Sequence, residues 1–366
     1  MSQAIQDILP ALYQKCLPDF FKQPLPEEDK ATCSNCAMWC SDATPQDEVE
    51  KRVFFKPETK CCTFYPYLPN YLVGGVLLDE NLPEGQRRIR EKIQSRIGVR
   101  PQWLRPSKHY QVLYRHQNSK KIFGRTTLFR CPYYEKEQGN CTIWSHREAV
   151  CSTFYCQHSA GKDAHDFWAK LNLFLARVEA MLSYRAVELT SGSLVKQFET
   201  VKFYEEAFTI EEVEQKPPKA EVYKQLWKQW EGREEAFYIE CYYAIQYYRW
   251  SDLIRFSQRG HTRFELGYEE LVAAYQKLMQ LELPETLRFN PDTVVVPIGE
   301  EDIFLVGYNT FDPIRLPKGS LELLQGFQGE KTVQQHLETL SPQQKTLLNE
   351  QQLLELYKAR VLIQTT

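Results

Sequence analysis

Nine cysteines in two short groups constrain this chain more than any other feature of its sequence. Upstream stand Cys33, Cys36, Cys40 and the adjacent pair Cys61 and Cys62; downstream, Cys131, Cys141, Cys151 and Cys156 fall within 26 residues. Two residues between thiols, as in Cys33-x-x-Cys36, let both sulfurs turn back onto one ion or cluster, which is why the spacing recurs in zinc and iron–sulfur sites. Adjacent cysteines rarely reach one ion together. Either one of Cys61 and Cys62 is a ligand, or each serves a different centre. The order Cys33-x-x-Cys36-x-x-x-Cys40 is the reverse of the spacing typical of radical enzymes that cleave S-adenosylmethionine, which argues against that class. Cys16 and Cys241 stand apart and read as packing residues.

The compartment decides how such a pattern is read. No apolar run approaches the roughly 18 residues a spanning helix needs, and the first ten residues carry neither a basic start nor a long apolar stretch. The expectation is a cytoplasmic protein without a signal peptide or membrane association. Thiols stay reduced there, so a dense cysteine pattern reads as metal-binding or catalytic before it reads as disulfides. The 366 residues, 43% hydrophobic and 25% charged, leave room for two or three ordinary globular domains. A net charge of −3 excludes a polyanion binder by charge alone.

Along the chain, residues 4–16 have an amphipathic helical pattern that Pro10 should split. Asn81-Leu-Pro-Glu84 predicts a helix start with Asn81 as cap, running to about Ile97. From Arg87 to Arg130 there are thirteen Lys or Arg and one acid, Glu91. Residues 110–115 and 121–129 in this basic stretch have a strand-like pattern around His-Gln-Asn-Ser, predicting a hairpin. Such a surface could hold an anionic ligand or an acidic peptide, although a charge run commonly faces solvent. Gly74-Gly75 follows a possible strand but is too little for a nucleotide loop. Residues 167–182 carry a buried helical stripe, and 223–256 is aromatic nearly all round, predicting a buried helix or a cavity wall. Glu205 and Glu206 are neighbours and would diverge on a helix. Beyond a boundary near 288, two short strands (294–297 and 303–307) precede helices opened by Thr332-x-x-Gln335 and Ser341-Pro342-x-Gln344, with a terminal strand near 361–363. The expected fold is α+β: a loop-rich cysteine-cluster domain with a small hairpin (1–160), an aromatic-rich helical middle (161–288) and a C-terminal winged-helix-like module (289–366).

The cysteines resemble the YkgJ-type cysteine-cluster family of zinc- or iron-chelating proteins over residues 30–160. The matching parts are Cys33-x-x-Cys36 with Cys61-Cys62, then Cys141-Thr-Ile-Trp144-x-x-Arg147 with Cys151, Phe154 and Cys156. Glu148 stands where the family usually has Pro, and Ser152 where it usually has Arg. The same type of cluster occurs in flagellin lysine N-methylases, which implies one enzymatic alternative, an S-adenosylmethionine-dependent protein-modifying transferase. The last 75 or so residues are similar to PqqD-like peptide-recognition modules, through Pro317-Lys-Gly-Ser-Leu-Glu-Leu-Leu and Phe327-Gln-Gly-Glu-Lys-Thr332-Val. That resemblance implies a peptide or protein partner there.

The metal-ligand candidates are therefore Cys33, Cys36, Cys40, Cys61, Cys62, Cys131, Cys141, Cys151 and Cys156. They could fill two closed zinc sites, or hold an iron–sulfur (4Fe–4S) cluster with thiols left over; zinc or mononuclear iron is the alternative. Iron–sulfur is placed first because Trp39, Phe64, Tyr65, Trp144, Phe154 and Tyr155 could shield a cluster. His146 and His158 could each replace a thiolate, but a surface or supporting role is commoner. Arg147 is the cofactor-binding candidate, as a donor to cluster sulfurs or an anion. A nucleic-acid role is disfavoured, because residues 317–363 lack a basic recognition face.

Overall fold

The helix Asn70–Leu78 has no polar face: Tyr71, Leu72, Val73, Val76 and Leu77 are all buried. Such a helix must be enclosed by others, and the computed structural model, which describes residues 3–30, 32–33, 36–40, 44, 46–116, 122–192, 209–257 and 264–365, shows how. The protein is α+β, about 51% helix and 12% strand in small sheets. No helix of the described residues is long and apolar enough to cross a membrane. The chain forms two units, each assembled from three segments: Met1–Leu25, Lys56–Phe154 and Leu171–Glu269 in the first; Pro26–Phe55, Tyr155–Lys170 and Glu270–Thr366 in the second.

In the first unit Asn70–Leu78 packs against the helix Glu234–Ile245 so closely that a Cβ on Gly74 would lie 2.1 Å from the Tyr238 carbonyl oxygen. Gly74 and Gly75 thus serve helix packing, Gly75 against the His146 ring, and belong to no strand. The buried Asn70 amide donates to the carbonyls of Pro101 and Ser183, each at 3.0 Å, and its oxygen accepts from Tyr71 N. The N-terminal pattern divides at Pro10 into a 3-10 turn, Ile5–Ile8, and a helical turn, Tyr13–Cys16.

Three expectations for this unit are corrected. The basic stretch forms the helix Lys108–His116, not a strand, and a 3-10 turn Thr127–Phe129 follows; the small hairpin is instead Tyr134–Glu135 with Asn140–Cys141. Residues 117–121, and Glu205 and Glu206, lie outside the described residues. The helix Pro83–Ser95 is present, but its cap position is Leu82; Asn81 turns its side chain to Asp79, and Glu84 pairs with Arg87 and Arg88. The aromatic stretch is three helices, Ala220–Trp227, Glu234–Ile245 and Trp250–Ser257. Left-handed backbone at Lys228 and Gly232 breaks the first from the second. Trp227, Phe237 and Tyr238 pack edge-on in the interior while Tyr243 and Tyr247 face out. Division into three helices, rather than one helix buried on all sides, accounts for the unbroken aromatic pattern.

The second unit carries two three-stranded antiparallel sheets. One orders Val294–Ile298, Asp302–Val306 and Ile314–Pro317; the other sets Thr286–Phe289 between Leu362–Gln364 and Gln328–Thr332. Alternation brings Ile303, Leu305 and Leu287 inward, onto Leu324, Leu348, Leu353 and Leu356. The expected capping boxes form at Thr332 with Gln335 and at Ser341 with Gln344, and a third forms at Asn349 with Gln352.

Candidate cysteine centres

None of the eleven cysteines is assigned to a disulfide. The first unit holds five candidates, and its loops are tied so that they share one neighbourhood. Lys60 adopts a left-handed conformation that ends the turn before Cys61, and its ammonium reaches the Gly139 carbonyl at the tip of the small hairpin, 2.9 Å away. The Cys131 amide donates to the Cys62 carbonyl at 2.8 Å. Register in the hairpin sets Cys141 opposite Tyr134. Cys151 lies in the helix Ala149–Thr153, whose N-cap Glu148 accepts from the amides of Val150 (2.8 Å) and Cys151 (2.9 Å).

The thiols of this group act on one another's ionisation. The Cys61 and Cys62 side chains hydrogen-bond, which draws the Cys61 thiol down and pushes Cys62 well up; burial and the charges of Cys61, Cys131 and Cys141 add to the rise at Cys62. Burial pushes Cys131, Cys141 and Cys151 up, and each also feels the charge of another cysteine in the group. A cluster of thiols that oppose each other's ionisation is the chemistry a cation relieves. Among the described residues, however, no three His, Cys, Asp or Glu side chains are placed so as to hold one ion. The donor chemistry fits a thiolate-bound centre; a closed ligand geometry is not present.

Arg147 braces this group. Its guanidinium lies 3.4 Å over the Trp144 ring centroid and donates to the carbonyls of Trp144 (3.1 Å) and Cys151 (3.0 Å), while its charge favours ionised Cys61 and Cys141. The aromatic shielding differs from expectation. Of the six rings expected, Trp39, Trp144 and Phe154 are exposed and Phe64, Tyr65 and Tyr155 half-buried; Tyr65 packs edge-on against Tyr133, which with Tyr134 is a buried ring beside Cys131. His146 is occupied by Asp79 at 3.1 Å, which leaves it a supporting role rather than that of a substitute ligand.

The other four candidates, Cys33, Cys36, Cys40 and Cys156, belong to the second unit. Cys156 is buried, and its carbonyl accepts from Asn309 at 2.9 Å. The next residue, Gln157, donates to the Met38 sulfur at 3.7 Å, and the Met38 carbonyl accepts from Phe55 N at 2.7 Å. The loop carrying Cys36 and Cys40 is thus held against the segment carrying Cys156. Beside it, buried His158 has its imidazole pushed down to about 3 by burial first and His165 second; Tyr308 approaches its Nδ1 at 3.5 Å and also donates to Asp312. Cys16 and Cys241 are fully buried in helices, and burial raises both thiols, Cys16 to about 12.

Two acids escaped the sequence reading. Glu148 was visible only as a departure from a family pattern. Glu179, fully in the interior, accepts from the Tyr13 hydroxyl at 2.8 Å, and Tyr13 in turn contacts Tyr71 at 2.8 Å. Burial raises both carboxyls, and the charge of Glu148 raises Glu179 further. The available signal was the i+4 row Leu171, Leu175, Glu179, which puts a carboxyl inside an apolar stripe.

A third acid gives a pH prediction. Burial pushes the Glu28 carboxyl up to about 7, against hydrogen bonds from Ser159 N (2.8 Å) and the Trp168 indole (2.7 Å). Between its ordinary value of 4.5 and about 7 the folded chain holds a proton that the unfolded chain has released, so this contribution to stability falls as pH rises through that window. Glu28→Gln should lose less stability than the wild type between about pH 5 and pH 8 in urea melts. An equal or larger loss in the variant would remove Glu28 as the cause.

No protein family, curated protein or solved structure matches the chain.

Proposed function

We propose that the chain is a metal-centre protein similar to the YkgJ-type cysteine-cluster proteins. Four thiolates from Cys61 or Cys62, Cys131, Cys141 and Cys151 would bind an iron–sulfur cluster, and Cys33, Cys36, Cys40 and Cys156 a second centre. The observation that carries this reading is the gathering of five free thiols in one unit, each within the electrostatic reach of another. When bound, such a cluster supplies a one-electron couple. This chain's residues would tune it: Arg147 favours ionised sulfur, and Tyr133 and Tyr134 limit solvent. Zinc or mononuclear iron in the same thiols would make them scaffolding or a metal store.

In the same reading, residues 289–366 act as a winged-helix-like docking module for a peptide or protein, supported by the hairpin Val294–Ile298 with Asp302–Val306 and the capped helices after it. The enzymatic alternative is an S-adenosylmethionine-dependent transferase resembling lysine N-methylases; it rests on the cysteine resemblance and predicts binding of that cofactor in equilibrium dialysis.

The deciding experiment is metal and acid-labile sulfide content with an absorption spectrum, after purification without oxygen. Iron with matching sulfide and a band near ~400 nm supports the cluster. Stoichiometric zinc without sulfide replaces it with structural sites. Protein that carries neither metal, and takes up neither on reconstitution, sinks the proposal.

A further inference from the structure

Beside Cys131 in the first unit opens a cavity of about 290 Å³, walled by Arg88, Arg130, Cys131, Tyr134, Glu135 and Lys136. Its charges do not cancel. Arg88 is largely buried and heavily engaged: Nη1 donates to the carbonyls of Pro132 (2.6 Å) and Tyr134 (2.9 Å), Nε to Glu84 (2.5 Å), and Nη2 to Glu135 (2.5 Å). The one acid of the wall is therefore neutralised, and the two carbonyls that would repel an anion are already taken. Arg130 and Lys136 remain. Both are exposed, and among the described residues neither enters an ion pair. The wall presents two cations outside any ion pair of the described residues, around a floor tied by the hydrogen bonds of Arg88.

We infer that this cavity binds a small organic oxyanion, a phosphate ester or a carboxylate, against Cys131. The volume is at the lower end of small-molecule sites, which suits a metabolite rather than an extended polyanion. Arg130 supplies a planar fork for paired oxygens, and Lys136 a mobile point charge. The basic stretch of the sequence thus has a specific use at its C-terminal end, while its helical part, Lys108–His116, takes no part in the cavity. The site goes beyond the metal reading: its cations are not metal ligands, and it shares only Cys131 with the proposed cluster.

The test is calorimetric titration of the purified full chain with inorganic phosphate, pyrophosphate and citrate at low salt. At least one should bind with a dissociation constant of about 1 mM or tighter, and binding should weaken as salt rises. Arg130→Gln with Lys136→Gln should weaken it at least about tenfold, the loss expected when charge-assisted contacts are removed. Lys318→Gln with Lys345→Gln removes the same charge elsewhere and should leave binding unchanged. Preference for pyrophosphate assigns a phosphate ester, and preference for citrate a carboxylate. No binding of any probe at about 10 mM, or equal weakening by both double variants, overturns the site. Metal content measured on the same samples separates this outcome from failure of the metal centre.

Discussion

Serine at Cys141 is expected to abolish one of the two proposed metal centres and leave the other intact. Cys141 belongs to the five-thiol group of the first unit, where it feels the charge of Cys61 and contributes to the raised Cys62 thiol. Cys36 belongs to the second unit, in the loop tied through Met38 and Gln157 to the Cys156 segment. If each group binds its own metal, Cys141→Ser and Cys36→Ser should each lose about half of the bound metal, and the double variant nearly all of it, because a thiolate-bound centre rarely survives loss of a ligand. Cys16→Ala and Cys241→Ala should keep full metal content, since both thiols are buried in helices and raised by burial. Full loss of metal in Cys36→Ser alone would show that the nine thiols act as one centre, and full retention in Cys141→Ser would dismiss the five-thiol group.

The second large effect is on stability. Gly74→Val should destabilise the first unit by about 3 kcal/mol or more, at the upper end of overpacking costs. The first added carbon would lie 2.1 Å from the Tyr238 carbonyl oxygen and 2.9 Å from the Tyr242 Cβ. Neither is the tip of a flexible side chain, so relief requires the helices Asn70–Leu78 and Glu234–Ile245 to separate. Helix propensity returns at most about 1 kcal/mol when a glycine is replaced, too little to offset this. Gly319→Ala is the contrasting variant: its Cβ would meet nothing within 4 Å and its backbone is right-handed helical, with φ −62°. It should be neutral or slightly stabilising. Urea midpoints followed by near-ultraviolet circular dichroism decide between these. A Gly74→Val midpoint equal to the wild type's would mean that the two helices are not held at this distance.

The last eighty residues were largely legible because their signals are local. A capping box needs only Thr332 and Gln335 or Ser341 and Gln344, and a hairpin needs two apolar runs around a turn such as Gly299, which has φ +56°. Residues 108–116 and 223–256 misled for the opposite reason. Strand-like alternation at Tyr110 to Arg115 was overridden by packing of Tyr110 on Tyr65, Tyr114 and Phe129. The aromatic run hid two chain breaks, one spanning Lys228 to Gly232 and one between Ile245 and Trp250, that aromatic content alone does not announce.

For the site, the sequence by itself determined the candidate donors: nine thiols in two spaced groups, with Arg147 and aromatics among them. It could not determine how they are shared. Cys61 and Cys62 are far closer in sequence to Cys40 than to Cys141, yet they fold with Cys141, and Cys156 folds with the unit of Cys33, Cys36 and Cys40. That partition is set by contacts distant in sequence: Lys60 on Gly139, Cys131 on Cys62, Gln157 on Met38. Tertiary structure alone also placed Glu179 and Glu148 in one buried neighbourhood and set Arg130 and Lys136 around a cavity at Cys131. Spacing along a chain limits which ligands neighbouring residues can share; hydrogen bonds that close long loops choose which distant residues join them.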